Sequence, residues 1–358
     1  MHPRVLFIGE PLKEYTATLE PDDSLSDQTF LGFAGDLAPN MASYTRRAAT
    51  RLGATCTIDV LTAVGTEDDP MSNEILADLK SHSLGIHRDS KRLPGKELGI
   101  VINLKDKTGA PAPAKVRLDR RNSAFRELLA EASGEALRRM ALGYTHIVVS
   151  GTSLACILDR ANLLALLEGA RIADPSMRIV VCTNLRASNW QMADRDHTAG
   201  LSPNDADWRH KARHWLDAAI ALADVVFANF GDERQLRGCE TPDEAIQELR
   251  SLNPRAEIVV TNDAHPIHLS YLAGSVVRVD RLDVPPTGRI ADTVGAGDAF
   301  AGTYLAARLA GRSCNAAAVC ALAVASQAVT FDGALPRHGE AMFFDPGLFD
   351  TPRDENHA

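Results

Sequence analysis

A glycine-rich segment that ends in a carboxylate stands out in this sequence of 358 residues, at Asp292–Phe300. It contains Gly295, Gly297 and Asp298, and apolar residues then recur every three to four positions as far as Gly311. This spacing predicts an amphipathic helix that begins at Gly295 to Gly297. Glycines let a ligand approach the backbone, and the first N–H groups of a helix lie unpaired at the positive end of its dipole. The segment is therefore suited to bind a phosphoryl group.

Asp298 adds a second chemical group to the same segment. A carboxylate that reaches a substrate hydroxyl can accept its proton while the oxygen attacks phosphorus. The same residues are also compatible with an ordinary turn and a capping carboxylate. Two other motifs are excluded by spacing, since a dinucleotide-binding loop needs a glycine where Phe300 stands and a Walker loop needs Gly-Lys-Ser/Thr. Phosphoryl transfer and simple helix capping remain as interpretations.

The elements that must position this segment alternate between short apolar runs and helical patterns, as in βαβ units. Runs that are apolar on both faces suit a parallel sheet covered by helices on each side. We therefore predict an α/β fold with a central, mostly parallel sheet, whose ligands bind at the carboxyl ends of the strands. Asn184, Asn229 and Asn262 fall at such ends. The predicted strands are Val5–Ile8, Thr57–Val64, His146–Ser150, Arg178–Cys182, Asp224–Ala228 and Glu257–Thr261.

The segment from Asp292 to Leu309 resembles the C-terminal signature of the ribokinase-like (PfkB) sugar-kinase family. Similar pieces are spread over nearly the whole chain, at Gly9-Glu10, at residues 63–68 and at residues 333–336. The resemblance implies a ribokinase-like three-layer α/β/α sandwich and ATP-dependent phosphorylation of a sugar, with ATP and Mg²⁺ as cofactors. It implies Asp298 as catalytic base and an anion hole at Gly295, Ala296 and Gly297. It also implies sugar contacts from Gly35, Asp36 and Asn40.

Two segments interrupt the βαβ pattern, residues 13–33 and 97–121. Within the second, Gly99–Leu104, a turn and the alternating Val116 and Leu118 predict a hairpin. Together the two segments resemble the β-sheet lid of these kinases, which often forms a dimer interface, although a surface hairpin without a lid role is the alternative. We assign residues 1–12, 34–96 and 122–345 to the main domain and residues 346–358 to a C-terminal tail.

The residues that follow Cys182 bear on the substrate. Asn184, Arg186 and Trp190 resemble a stretch of the 2-keto-3-deoxygluconate kinase branch, in which the arginine contacts a substrate carboxylate, and Arg121 resembles a second substrate arginine. Guanidinium groups bind carboxylates through two parallel hydrogen bonds. This implies a keto or aldonic acid as substrate. The branch's lid tyrosines are replaced here by residues 118–120, so a kinase for a neutral sugar or nucleoside and a non-catalytic sugar-binding regulator stay as alternatives.

The nucleotide side follows from the same resemblance. Asn229–Glu233 resembles a motif whose acidic residue holds the magnesium shell through water; Asp232 takes that position and Glu233 is adjacent. Asp292 corresponds to a residue beside a monovalent-cation site, which raises the question of K⁺ dependence. His265 and His268 lack a third ligand, so we predict no zinc site there. The nucleotide-binding candidates are Asn184, Asn229, Thr261, Asn262 and Gly297, and the loop at 261–265 lacks the glycine that is usual in the family.

Composition narrows the partners. The formal net charge of -9 argues against nucleic acid and anionic membranes as partners. The six cysteines include no Cys-x-x-Cys pair, which is typical of reduced thiols. The sequence has neither a signal-peptide core at its start nor an apolar run of about 18 residues. We therefore expect a cytoplasmic enzyme that acts on a small sugar or sugar acid and ATP and forms a homo-oligomer, a dimer through the lid.

Overall fold

The computed structural model describes residues 2–18, 31–105, 117–195, 205–288 and 290–335. In chain order its strands are β1 (Arg4–Ile8), β2 (Leu12–Thr18), β3 (Leu31–Gly35), β4 (Thr57–Leu61), β5 (Ala63–Val64), β6 (Gly85–Ile86), β7 (Lys91–Arg92), β8 (Ile100–Lys105), β9 (Arg117–Asp119), β10 (His146–Ser150), β11 (Arg178–Cys182), β12 (Val225–Asn229), β13 (Glu257–Asn262), β14 (His265–Ala273) and β15 (Val276–Leu282). Its helices are α1 (Leu37–Arg51), α2 (Pro70–Ser81), α3 (Gly134–Ala141), α4 (Gly151–Cys156), α5 (Arg160–Ala173), α6 (Ala187–Arg195), α7 (Asp205–Leu222), α8 (Phe230–Arg237), α9 (Pro242–Leu252), α10 (Ala296–Leu309) and α11 (Cys314–Ala328).

A nine-stranded sheet forms the centre of the molecule, in the order β15-β14-β13-β12-β11-β10-β1-β4-β6. In this sheet β6, β4, β1, β10, β11, β12 and β13 are parallel to one another. At one edge, β14 and β15 extend the sheet in antiparallel orientation. The predicted mostly parallel central sheet is confirmed. The antiparallel extension was not predicted, because Pro266 and the charged residues of β15 weaken the strand pattern there.

Helices cover both faces of this sheet, and alternate residues of one strand show why. Leu6 and Ile8 of β1 pack into one apolar cluster with α3, α5 and α7, whereas Val5 and Phe7 pack into a second cluster with α1, α10 and α11. All four side chains are fully buried. A strand buried on both faces needs a continuous apolar run, as β1 has. The result is the predicted three-layer α/β/α sandwich.

A second, four-stranded sheet has the order β3-β2-β8-β9, and we call it the small sheet. In it β8 and β9 pair antiparallel, with Val101 opposite Leu118, as the hairpin prediction required. The predicted turn at 106–109 and the tail at 346–358 lie outside the described residues. The two-residue strands β5 and β7 form a third sheet that the sequence did not predict.

Two further expectations are met. Helix α10 begins at Ala296 with Gly295 as its N-cap, where the glycines predicted it. All six cysteines are buried and free. Across the described ranges, no helix is long and apolar enough to cross a membrane.

Candidate active site

Asp298 lies in the first turn of α10, held by a residue from another helix. Asn40 of α1 donates a hydrogen bond from Nδ2 to Asp298 Oδ2 over 2.9 Å. Asn40 is 2% exposed, and its Oδ1 has no hydrogen-bond partner among the described residues. In the same part of the chain, no side chain caps the N-terminus of α10. The carboxylate is therefore fixed beside a positive helix end that is open to a ligand.

The surroundings of Asp298 favour its protonated form. The pKa of Asp298 is raised to about 7, mainly by burial and also by the nearby charge of Asp36, although the Asn40 hydrogen bond and the charge of Arg186 oppose the shift. A base whose pKa lies near neutrality combines a useful ionised fraction with strong proton affinity. The geometry and the electrostatics at Asp298 both suit proton abstraction.

The two glycines before Asp298 differ in their reasons for lacking a side chain. Gly295 has a φ of 81°, and a Cβ there would lie 2.6 Å from the backbone of Ala334. A Cβ on Gly297 would meet no atom of the described residues within 4 Å. Gly295 is thus required by the fold, whereas Gly297 borders open space next to the base. Ala296 lies between them as the first residue of α10.

Asp292 is buried and ties down the loop that leads into α10. Its Oδ1 accepts a hydrogen bond from Val294 N at 3.0 Å, and its Oδ2 accepts one from Gly333 N at 3.1 Å. These contacts explain its position without a cation. In the part of the chain that the structure describes, no group of three or more His, Cys, Asp or Glu residues is arranged to hold a metal ion.

The predicted sugar motif lies where the small sheet returns to the main domain. Gly35 ends β3 and packs against Leu12 and Glu14, with no room for a side chain. Asp36 follows with φ 80° and ψ 159°, accepts a hydrogen bond from Leu37 N at 2.9 Å and begins α1. Non-glycine residues rarely adopt this conformation. Asp36 and Asn40 thus place two polar side chains on the first turn of α1, close to Asp298.

Both predicted substrate arginines are exposed. Arg186 is exposed, has a φ of 38°, and its charge acts on Asp298. Arg121 is also exposed, while the preceding residue Arg120 is buried and pairs with Asp36 at 3.3 Å. Sequence reasoning assigned no role to Arg120. Its role could have been predicted from charge balance, because the buried carboxylates of Glu10 and Asp36 require a positively charged partner.

On the nucleotide side, Asn229 caps α8 by accepting a hydrogen bond from Gly231 N at 2.8 Å. Asp232 accepts one from Leu185 N at 3.1 Å, which ties α8 to the segment after β11. Asn184, in that segment, has a φ of 27°. Burial raises the pKa of Asp232, and the charge of Asp263 raises it further, against the hydrogen bond from Leu185 and the charge of Arg186. Two acids therefore lie close enough to repel each other.

Glu233 has different partners from those of Asp232. It is fully buried and pairs with Arg237 at 2.6 Å, and Arg237 also contacts Asp217. This buried ion pair gives Glu233 a structural role inside the main domain. Of the two acids predicted for the magnesium shell, only Asp232 shares electrostatic contact with Arg186 and Asp263.

The loop predicted to contact ATP phosphates is a tight hairpin between β13 and β14. Thr261 donates a hydrogen bond to Ala228 O at 3.2 Å, and Asn262 pairs with His265 across the turn. Asp263, in the turn, has a φ of 50°, a conformation that aspartate tolerates better than most residues. His268 pairs with Asp243 at 2.7 Å, so its position has an explanation other than zinc.

A comparison with known families decides the class of this site. A model of the pfkB family carbohydrate kinases matches residues 38–336 of the chain. The chain belongs to the PfkB carbohydrate kinase family. It is therefore a sugar kinase, and sugar and ATP are the substrates that this class implies.

Two curated relatives of this PfkB kinase carry the name 2-dehydro-3-deoxygluconokinase. The one from Dickeya dadantii is 26% identical over 307 residues, which cover 85% of this chain and 89% of that protein. The one from Escherichia coli K12 is 26% identical over 317 residues, 87% and 92% of the two chains.

Solved structures share the fold at lower identity. The 2-dehydro-3-deoxygluconokinase of Thermotoga maritima has a TM-score of 0.68 at 18% identity and covers 94% of this chain and 95% of its own. A protein described as ribokinase II from E. coli, in complex with ATP and Mg²⁺, has a TM-score of 0.70 at 20% identity, with 93% and 94% covered.

Proposed function

We propose that this PfkB kinase transfers a phosphoryl group from ATP to a hydroxyl of a sugar acid, 2-keto-3-deoxygluconate or a related keto or aldonic acid. The observation that carries the proposal is Asp298, fixed by Asn40 at the uncapped start of α10 with a pKa of about 7. The names of the curated relatives support the substrate class.

In the proposed reaction, the substrate hydroxyl donates a hydrogen bond to Asp298. Asp298 takes the proton as the hydroxyl oxygen forms a bond to the γ-phosphorus, and the bond from that phosphorus to the β–γ bridging oxygen breaks, which releases ADP. Charge on the transferred group is stabilised by the helix N-terminus at Gly295, Ala296 and Gly297. The proton leaves Asp298 to solvent once the product departs.

The nucleotide is assigned to the carboxyl ends of β11, β12 and β13. The residues proposed to contact it are Asn184, Asn229, Thr261, Asn262 and Gly297. Mg²⁺ supplies positive charge to the phosphates when bound, and Asp232 is proposed to hold its water shell. The mutual repulsion of Asp232 and Asp263 fits a cation at this position, because a cation would relieve it. A K⁺ requirement linked to Asp292 remains a prediction.

The substrate carboxylate is assigned to Arg186, which is exposed and electrostatically coupled to the base. Gly35, Asp36 and Asn40 are proposed to border the sugar, beneath the small sheet acting as a lid. Contact from Arg121 and dimerisation through the lid also remain predictions.

The proposal is tested by an ATP-consumption screen followed by substitution of Arg186. The screen covers aldonic acids, 2-keto-3-deoxy acids, neutral hexoses and pentoses, and nucleosides. Loss of a charge-assisted hydrogen bond typically costs about 1.5–3 kcal/mol, so Arg186→Ala is expected to lower kcat/KM for an acid by roughly 10- to 150-fold. ATP affinity is expected to change little.

Arg88→Ala serves as the control, since Arg88 is exposed and its nearest carboxylate, that of Asp89, lies 3.8 Å away. A best substrate without a carboxylate, or an unchanged kcat/KM in Arg186→Ala, would remove the sugar-acid assignment while leaving the kinase assignment in place.

A further inference from the structure

The small sheet joins the main domain at four points, and polar groups from all four meet in one buried cluster. Glu10 lies just before β2, Asp36 just after β3, Gly99 just before β8 and Arg120 just after β9. We call these groups, together with Ser123, the lid junction. These residues are far apart in the sequence, and the fold brings them into contact.

The lid junction is centred on the guanidinium of Arg120. Its Nη2 lies 3.3 Å from Asp36 Oδ2 and its Nε lies 3.2 Å from Glu10 Oε2. Gly99 N donates to Glu10 Oε1 at 3.1 Å, and Ser123 Oγ donates to the same oxygen. The side chains of Glu10, Asp36 and Arg120 are 1%, 7% and 5% exposed. One network therefore holds together the ends of all four strands of the small sheet where they meet the main domain.

Charge in the lid junction is not balanced by Arg120 alone. Burial lowers the pKa of Arg120, but Asp36, Cys156 and Glu10 outweigh burial and keep it charged. Burial raises the pKa of Glu10 against the opposing effect of Arg120. Within the described ranges, Glu10 Oε2 accepts no hydrogen bond, although Arg120 Nε lies 3.2 Å away. Arg120 is thus committed to two carboxylates and has no positive charge to offer a third.

Asp36 is retained at a cost to the backbone. Its φ and ψ fall in a region that is nearly exclusive to glycine, so the backbone of Asp36 is strained. A glycine would begin α1 without this strain, although it would not cap the helix through a side chain. Asp36 begins α1, the helix whose Asn40 holds Asp298 at 2.9 Å, and its charge acts on Asp298, so it lies near the reacting centre.

We propose that Asp36 is a specificity-determining residue. Paired with Arg120, it keeps the lid-junction side of the sugar site free of net positive charge, so this side binds hydroxyl groups and repels a carboxylate. The carboxylate of an acidic substrate then lies on the Arg186 side, and any contact from Arg121, which follows Arg120, is to a hydroxyl group instead of the carboxylate. This inference rests on the proposed sugar-kinase function and defines the orientation of the sugar within it.

The test compares substrates that differ at one carbon. 2-Keto-3-deoxygluconate and 3-deoxyfructose differ only in a carboxylate against a hydroxymethyl group, as do D-gluconate and D-glucitol. Asp36→Asn keeps the shape and the helix cap but removes one negative charge. Removal of one negative charge from the border of the sugar site is expected to raise the acid-to-neutral ratio of kcat/KM about 10-fold.

Asp69→Asn is the matched control, because Asp69 also begins a helix, α2, and accepts hydrogen bonds from Met71 N and Ser72 N. Its ratio is expected to equal that of the wild type. Asp36→Gly relieves the backbone strain and removes the same charge, so it gives the same direction of change if the asparagine variant folds poorly. An unchanged or lower ratio in the folded variant overturns the proposal.

A pH profile separates charge from a purely structural effect. The groups that act on Asp298 are Asp36 and Arg186, with Asn40 donating its hydrogen bond, and Tyr44 and Cys182 lie close enough for Asp298 to raise their pKa values. Removing the Asp36 charge is expected to move the acidic limb of kcat/KM to lower pH, whereas an unmoved limb contradicts the proposal. A wild-type enzyme whose ATP consumption is stimulated by none of the sugars or sugar acids would instead overturn the proposed function.

Discussion

At the level of single residues, no contact with the residues that the structure describes accounts for the lack of a side chain at Gly297. A Cβ there would face open space, so alanine is expected to leave the fold intact. If a phosphoryl group approaches this backbone, a methyl group is in its way. We predict that Gly297→Ala keeps the wild-type melting temperature and lowers kcat by about 10-fold or more, within the range known for disturbed anion holes.

Gly134→Ala is the matched control for this substitution. Gly134 also lies in the first turn of a helix, α3, and also borders open space. Both variants are compared by thermal melts and steady-state rates. Equal kcat in the two variants would remove Gly297 from the phosphoryl site.

The raised pKa of Asp298 predicts a pH dependence of the rate. A general base must be ionised, so kcat/KM is expected to increase with pH and to reach half its plateau near pH 7. The sign for stability is opposite. Because the folded pKa of Asp298 exceeds the unfolded value of about 3.9, the stabilising contribution of its proton is lost as pH rises toward 7.

Asp298→Asn isolates this contribution. The melting temperature of the wild type is expected to fall relative to that of the variant between pH 5 and pH 8. A constant difference between the two proteins over that range, or a rate whose acidic limb lies near pH 4, would contradict the raised pKa.

At the level of elements, the contact between α1 and α10 aligns Asn40 with Asp298. Gly302 lies at this contact, where a Cβ would be 2.5 Å from Met41 O and 2.8 Å from Tyr44 Cβ. Overpacking costs about 1–3 kcal/mol, more than the roughly 0.5–1 kcal/mol that alanine gains over glycine in a helix. Gly302→Ala is therefore expected to lower both the melting temperature and kcat.

Gly169→Ala tests the same change in α5 without a backbone clash. There a Cβ would meet only the flexible side chain of Arg138, at 3.1 Å. We expect equal or higher stability and wild-type kcat in this variant. If Gly302→Ala behaves in the same way, the close approach of α1 and α10 does not align the base.

Periodicity allowed the elements around the base to be predicted with near-correct bounds. The apolar runs at 146–150 and 178–182 coincide with β10 and β11, and the glycines placed the start of α10. These signals are local, so a single sequence carries them. The hairpin after β13 was not predicted, because its turn has Asp263 in a left-handed conformation where a glycine would have been an obvious signal.

At the level of the whole molecule, contacts between residues far apart in the chain could not be predicted from the sequence. Glu10, Asp36 and Arg120 meet across more than 80 residues of chain, and neither spacing nor composition specifies that meeting. The choice between Arg120 and Arg121 depends on register, since neighbouring residues at the end of a strand point to opposite sides. The resemblance indicated Arg121 at this point and gave no sign that the fold would bury Arg120 beside it and leave Arg121 exposed.

The central claim is that Asp298 is the general base of a sugar kinase, and Asp298→Asn tests it most directly. Asparagine keeps the shape of the side chain and caps a helix about as well, but it cannot take the hydroxyl proton. We predict that kcat falls by about 10²- to 10⁴-fold, while the Kd for ATP measured by calorimetry stays close to wild type. A variant that folds, binds ATP and retains more than about a tenth of wild-type kcat would contradict the claim.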